Sequence, residues 1–439
     1  MAFGDSGYVI AVDWQPRRPM QELDALILAD SPHARTELLG LTLMERGRRV
    51  ATRAGARRVF VVDSPAAAAG LLPWADGLGH AALLVVRASD QVVHKPLVEP
   101  LLRGTGERRV AVGPGGAYAG AFWVRPEHAR DVIAALAAAP HDDAALVATW
   151  SGAERIEHGD IACHAATTKT ERAGAIEMLL RLNIKTEDNP VTRHIYRPLS
   201  RPLTRVLVHT PFTPNQISYA VGVLGLIGCW LTAQPGQAAL IWGAATIFFA
   251  GVLDGCDGEI ARLKLISSPY GAWLDTVVDE ITTTGYFIGI AYHVYAHHPE
   301  SWIAWSIPIG TFAYVATIYA IYFFCIVVAK VGGSQFYIGT LELIEGPQGW
   351  GLREKPRSAK ITSPLLRMLG RWAMYAKTRD FINLAALFLT FVNAYWIIYL
   401  GMLVGGIATA MIVIPDHIRL RLQLREIARR GGRPHLVTS

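Results

Sequence analysis

The sequence predicts an α/β doubly wound N-terminal cytoplasmic domain followed by an all-α six-helix transmembrane bundle. Three observations carry this expectation. The 439 residues are 51% hydrophobic with a mean hydropathy of +0.27, which is high for a soluble chain. Apolar residues come in short runs between charges up to about residue 210 and in long blocks beyond it. Past that point, Lys and Arg cluster on one side of the apolar blocks only, as expected of cytoplasmic loops.

In the first half, Asp24–Asp30 reads as a strand built on Ala25 to Ala29, Leu38–Gly55 as a helix, Arg58–Val62 as a strand and Ala81–Val86 as another strand leading to Asp90. Strands alternating with helices predict a parallel, doubly wound sheet, here assigned to residues 1–185. The glycine-rich stretch Gly113–Gly120 is not followed by Lys-Ser or Lys-Thr and reads as a turn. Met1–Val12 lacks a basic region followed by an apolar one, so this half is expected to stay in the cytoplasm.

A bilayer core of ~30 Å asks for about 20 apolar residues per helix. Six segments are read as spans: Gln216–Ala233, Gln237–Leu253, Ala272–Tyr295, Trp302–Val331, Phe381–Asn393 and Trp396–Pro415. The loops after the first, third and fifth contain no Lys or Arg. The opposite side carries Arg193, Arg197, Arg201 and Arg205, then Arg262 and Lys264, then the run from Arg353 to Arg379, then Arg419 to Arg430. Both termini are therefore expected in the cytoplasm, in a multi-pass protein of a bacterial or archaeal cell membrane.

Thr192–His209 mixes four arginines with apolar residues directly before the first span and reads as an interfacial amphipathic helix within the linker 186–212. The bundle is assigned to 213–422 and a basic tail to 423–439. The net charge of +6 thus points to membrane lipids and not to nucleic acid. Cys163, Cys229, Cys256 and Cys325 show no paired spacing, which argues against a disulfide framework or a zinc site.

The chemistry is concentrated around the second and third spans. Asp254 and Asp257 lie three residues apart, and Asp275 and Asp279 four apart; each pair shares a helix face. A carboxylate inside an apolar span is costly and marks function by default. Four that converge without His or Cys form a hard oxygen set suited to Mg²⁺ or Mn²⁺, with two ions able to clamp a diphosphate. Gly258 and Gly271 leave room for a ligand against backbone, and Arg262 offers a forked donor to a phosphate. An ion-coupled transporter is the competing class. It would spread its carboxylates over several helices, and it explains neither the glycines nor the arginine.

Asp254, Asp257, Gly258, Ala261, Arg262, Gly271, Asp275 and Asp279 match the pattern D-x2-D-G-x2-A-R-x8-G-x3-D-x3-D at every position. This resembles the defining motif of the CDP-alcohol phosphotransferase family, and Thr213-Pro214-Asn215 resembles the family's approach to its first span. The resemblance covers about Pro190 to Arg421. It implies transfer from a CDP-linked alcohol to a hydroxyl acceptor, a lipid or a polyol phosphate, with CMP leaving. Asp254, Asp257 and Asp275 would hold metal, and Asp279 would hold metal or act as general base. Gly258, Ala261, Gly271 and Asn215 would line the nucleotide, with Arg262 on a phosphate. The basic loop before the fifth span, with Arg371, Lys377 and Arg379, would receive an anionic acceptor. A second copy of the chain is a further expected partner.

The order of elements in the first half is similar to that of sugar-phosphate nucleotidyltransferases. In particular it resembles the cytidylyltransferase domain fused to a CDP-alcohol phosphotransferase in enzymes of inositol phosphodiester synthesis, and Arg193 to Ser200 resembles the joint in those fusions. An active domain of that kind needs a glycine-rich loop and a lysine after the first strand to cradle triphosphate. Here the stretch reads Asp30-Ser31-Pro32-His33-Ala34-Arg35. Asp90 and Asp160 stand as matches to that family's metal aspartates. The expectation is a degenerate, non-catalytic domain; the alternative is a bifunctional enzyme that makes its own CDP-alcohol.

Overall fold

Residues alternate along Leu23–Leu28 so that Ala25 and Ile27 face one apolar core while Leu26 and Leu28 face another. A strand buried on both faces must be central, and the fold around it follows from that. The computed structural model describes residues 22–183, 188–331, 334–346, 349–355, 378–432 and 436–437. It divides into two units, one of Met1–Lys185 with Arg262–Ile266 and one of the remaining residues.

The first unit is a six-stranded sheet covered by helices on both faces. Its strands are β1 (Leu23–Leu28), β2 (Arg58–Val62), β3 (Ala82–Arg87), β4 (Arg108–Val112), β5 (Tyr118–Val124) and β6 (Glu154–Glu157), in the order β2-β1-β3-β5-β4-β6. Helix α1 (Leu43–Arg53) covers one face through Val50 and Ala51. The helix α2 (Pro126–Ala138) covers the other through Val132, Ile133 and Leu136.

The expected parallel sheet is corrected to a mixed one. β1 runs parallel to β2 and β3, and β4 parallel to β6, but β5 runs against both β3 and β4. The reason is local. Gly115 and Gly116 take positive φ in the short turn from β4 to β5, and so tight a connection joins only antiparallel strands. The reading of this stretch as a turn is borne out.

The first helix also starts later than Leu38. Glu37–Leu38 and Leu41–Thr42 pair as a two-stranded hairpin through Leu39 and Gly40, both at positive φ. Thr42 then caps α1 by accepting from Glu45 N. Arg46 is fully buried on this helix and donates to the carbonyls of Leu38 and, within the same unit, Leu263.

The second unit is helical. It comprises α3 (Arg197–Leu207), α4 (Pro214–Ala233), α5 (Gln237–Leu263), α6 (Pro269–His297), α7 (Ser301–Phe323), α8 (Arg379–Phe391) and α9 (Tyr395–Arg429). Thr213 and Gln216 form a capping box at the start of α4, with Pro214 in the first turn. Ser268 caps α6 by accepting from Gly271 N. Small residues let α4 and α6 approach closely: a Cβ on Gly289 would lie 2.6 Å from the carbonyl oxygen of Cys229.

Several expected ends move. Helix α5 runs on past Leu253 to Leu263, so the first two motif aspartates sit on an unbroken helix. The basic segment after Arg419 continues the sixth span as helix, as the sequence leads one to expect, and α9 ends at Arg429. The expected interfacial helix is a π turn at Thr192–Tyr196 followed by α3, and it buries Arg197, Ser200 and Thr204. A hairpin of Leu341–Gly346 with Gly349–Glu354 was not anticipated.

Among the described residues, four helices are long and apolar enough to cross a membrane: Pro214–Ala233, Gln237–Leu263, Ser301–Ala329 and Tyr395–Arg429. α6 carries Asp275, Asp279 and Glu280, and α8 has 13 residues, about 20 Å of helix. Trp242, Phe312, Met411 and Ile412 are exposed on the helical unit, where lipid would cover them. The chain is a membrane protein.

Candidate active site

Asp254 and Asp257 project from α5, and Asp275 from α6. One carboxylate oxygen from each lies within 4.8 Å of the others, and among the described residues this is the only cluster of carboxylate, His or Cys groups able to share a cation in this way. Asp257 is buried and accepts from Ser218 Oγ, a donor supplied by α4. Pro214 O, 3.2 Å from the same hydroxyl, is the alternative acceptor for its one proton. The cluster is thus built by three helices.

Asp279 does not join it. Its carboxylate pairs with Arg379 Nη1, while Arg379 Nη2 reaches Asp254 Oδ2 at 2.5 Å. Arg379 opens α8, and this is its place: between two motif aspartates. Arg371 and Lys377, expected beside it, lie outside the described residues.

The nucleotide candidates divide. Asn215, in the first turn of α4, faces the start of α6, and a Cβ on Gly271 would sit 3.0 Å from Asn215 Oδ1. Any side chain at Gly271 would crowd that asparagine. Gly258 and Ala261 follow Asp257 on α5, half-buried. Arg262 ends that helix with its Nε donating to Asn183 Oδ1 at 3.1 Å. Asp90 and Asp160 belong to no cation-sized cluster among the described residues. All four cysteines are free.

Two groups were missed in the sequence. Ser218 lies three residues from Asn215, the spacing of neighbours on one helix face, so its partnership was available to inspection. Glu259, next to Gly258, is fully buried and bonded to Arg197, Ser200 and Thr204. Its signal was an acidic residue beyond the four motif aspartates, set between Gly258 and Ile260.

A helical membrane unit that brings aspartates of two adjacent helices together has a donor set suited to a divalent cation. Comparison with known proteins makes this particular. Residues 212–414 match the CDP-alcohol phosphatidyltransferase family. The chain is 41% identical over 103 residues to a bifunctional IPC transferase and DIPP synthase of Rubrobacter xylanophilus, covering 24% of this chain and 23% of the relative. To the protein of the same name from Thermococcus kodakarensis it is 32% identical over 126 residues, 28% of each. A phosphatidylinositol phosphate synthase of Mycolicibacterium smegmatis is 30% identical over 102 residues, 23% of this chain and 45% of the relative. The matched stretches span from about a quarter to just under half of these relatives' lengths.

Proposed function

We propose that this chain transfers the phospho-alcohol or phosphatidyl group of a CDP-linked donor to a hydroxyl acceptor, with release of CMP. The observation that carries the reading is the convergence of Asp254, Asp257 and Asp275 within 4.8 Å at the spacing of the family motif. Three carboxylates with no His or Cys are ligands for Mg²⁺ or Mn²⁺. When bound, one or two such ions would supply charge neutralisation to the diphosphate and to the departing CMP.

The chain's own groups do the rest. Asn215, Gly258, Ala261 and Gly271 border the nucleotide, and Arg262 meets a phosphate oxygen. The acceptor hydroxyl attacks phosphorus as the bond to the CMP oxygen breaks, and Asp279 takes the hydroxyl proton. Arg379, paired with Asp279 and Asp254, exchanges a carboxylate for the anionic group of the acceptor, and Arg371 and Lys377 are assigned the same role from the sequence. The relatives named for IPC and DIPP chemistry and for phosphatidylinositol phosphate favour an inositol-type lipid or phosphodiester as product.

α6 and α8 complete a set of six spans in this reading, with both termini and the aspartates on the cytoplasmic side. The N-terminal unit is proposed to lack nucleotidyl transfer: Pro32–Arg35 forms a short 3-10 helix with neither glycine nor lysine where a triphosphate would rest. CMP release by the purified chain, assayed over a panel of CDP-linked donors and hydroxyl acceptors, tests the proposal. No CMP from any pair overturns it.

A further inference from the structure

Glu259 lies on the motif helix α5 but takes no part in the aspartate cluster. It follows Asp257 by two residues, about 200° round an α-helix, so the two carboxylates leave α5 on opposite sides. Its surface is fully buried. Arg197 Nη1 donates to Oε1 at 2.6 Å, Ser200 Oγ donates to the same oxygen at 2.9 Å, and Thr204 Oγ1 donates to Oε2 at 2.5 Å. Arg197 is itself buried and also donates to Asp188, at 2.9 and 3.1 Å.

A buried carboxylate is tolerated only when paired and hydrogen-bonded, and these four groups meet that requirement. Such a contact is strongly directional. Because Glu259 is held on α3, α5 cannot turn about its axis without breaking three hydrogen bonds. The same segment grips the start of α8, where Tyr196 OH donates to Asp380 O at 3.2 Å and Thr192 Oγ1 bonds the Asp380 carboxylate. Asp380 adjoins Arg379.

We propose that Glu259 is a positioning residue: its buried ion pair with Arg197 fixes the rotation of α5 and thereby aims Asp254 and Asp257 at Asp275. The inference rests on reading the aspartates as a metal site, so its test measures metal binding apart from turnover. Mn²⁺ alone is titrated into the full chain in lipid nanodiscs and followed by electron paramagnetic resonance, with unfolding temperature as the control for folding.

Glu259→Gln leaves Arg197 with Asp188 as its one counter-charge and is expected to weaken Mn²⁺ binding by about tenfold or more, as is common when a supporting group is removed. Adding Arg197→Gln together with Asp188→Asn restores a neutral hydrogen-bonded set and should recover most of that affinity. Should Glu259→Gln fail to fold, Thr204→Val removes one of the three contacts and should also weaken Mn²⁺ binding. Wild-type affinity in a folded Glu259→Gln, or failing that in Thr204→Val, overturns the positioning role, as does a triple variant no better than the single. Wild-type protein that binds no Mn²⁺ overturns the metal site as well.

Discussion

Arg379 Nη2 donates to Asp254 Oδ2 at 2.5 Å, and the two residues lie 125 positions apart in the chain. The contact joins the first turn of a short C-terminal helix to the first aspartate of the motif, and through Nη1 it extends to Asp279. One guanidinium thus sits where cation charge is needed, against carboxylates that a divalent ion would also seek.

Arg379→Ala should therefore separate two effects. Removing the guanidinium leaves Asp254 and Asp279 uncompensated, so Mn²⁺ affinity measured without substrate should rise. Acceptor KM should rise about tenfold or more, in line with the loss of one charge-assisted contact, while donor KM stays near wild type. Kinetics with each substrate varied separately check this. An unchanged acceptor KM would show that the acceptor's anionic group does not meet Arg379.

Asp257→Asn is expected to lower CMP release by about a hundredfold or more, the scale of lost metal or base catalysis. Its partner gives a graded control. Ser218→Ala removes one donor to Asp257 and leaves the carboxylate, so its loss should be smaller. Equal losses in the two variants would mean that Asp257 acts mainly through its contact with α4.

The N-terminal unit should form no CDP-alcohol. The full chain carrying Asp257→Asn, incubated with CTP and a panel of sugar and polyol phosphates, is expected to release no pyrophosphate above background. Pyrophosphate release with a matching product would make the chain bifunctional.

His94 supplies a pH dependence in the same unit. Burial pushes its imidazole down to about 3, with Arg46 and Lys95 adding repulsion. The unfolded chain would protonate this group near pH 6.5, so between those values the unfolded state binds more protons. Stability from this group is full above about 6.5 and is lost as pH falls, about 2 kcal/mol between pH 7 and pH 5. Hydrogen exchange across β3 and the following residues, corrected for intrinsic rates, should show that loss. His94→Gln should flatten it.

The motif was legible because its chemistry is local: Asp254, Asp257, Asp275 and Asp279 declare themselves by charge in apolar sequence and by spacing on a helix. The strands β1, β2 and β3 were legible for the same reason, as short apolar runs between turn residues. What escaped was non-local. The antiparallel course of β5 depends on a turn whose φ values sequence pattern alone does not reveal. The basic segment before the first span looked like a membrane-surface helix, yet Arg197 serves Glu259 inside the protein. Arg379 reads in the sequence as a topology-setting cation that would also receive the acceptor, and only the packing of α8 brings it to the aspartates. The full reach of α5, on from the aspartates to Leu263, was hidden because charged residues ended the apolar run before the helix itself ended.

The central claim is that Asp254, Asp257 and Asp275 hold a divalent cation on which CMP release depends. Its most direct test is CMP release by metal-stripped protein, over a panel of CDP-linked donors and acceptors, as Mn²⁺ or Mg²⁺ is added back. Wild type should regain activity saturably with metal, and Asp275→Asn, folded and in the same membrane, should not regain it at any metal concentration that saturates wild type. Full activity in the stripped enzyme, or a normal metal response in Asp275→Asn, would contradict the account.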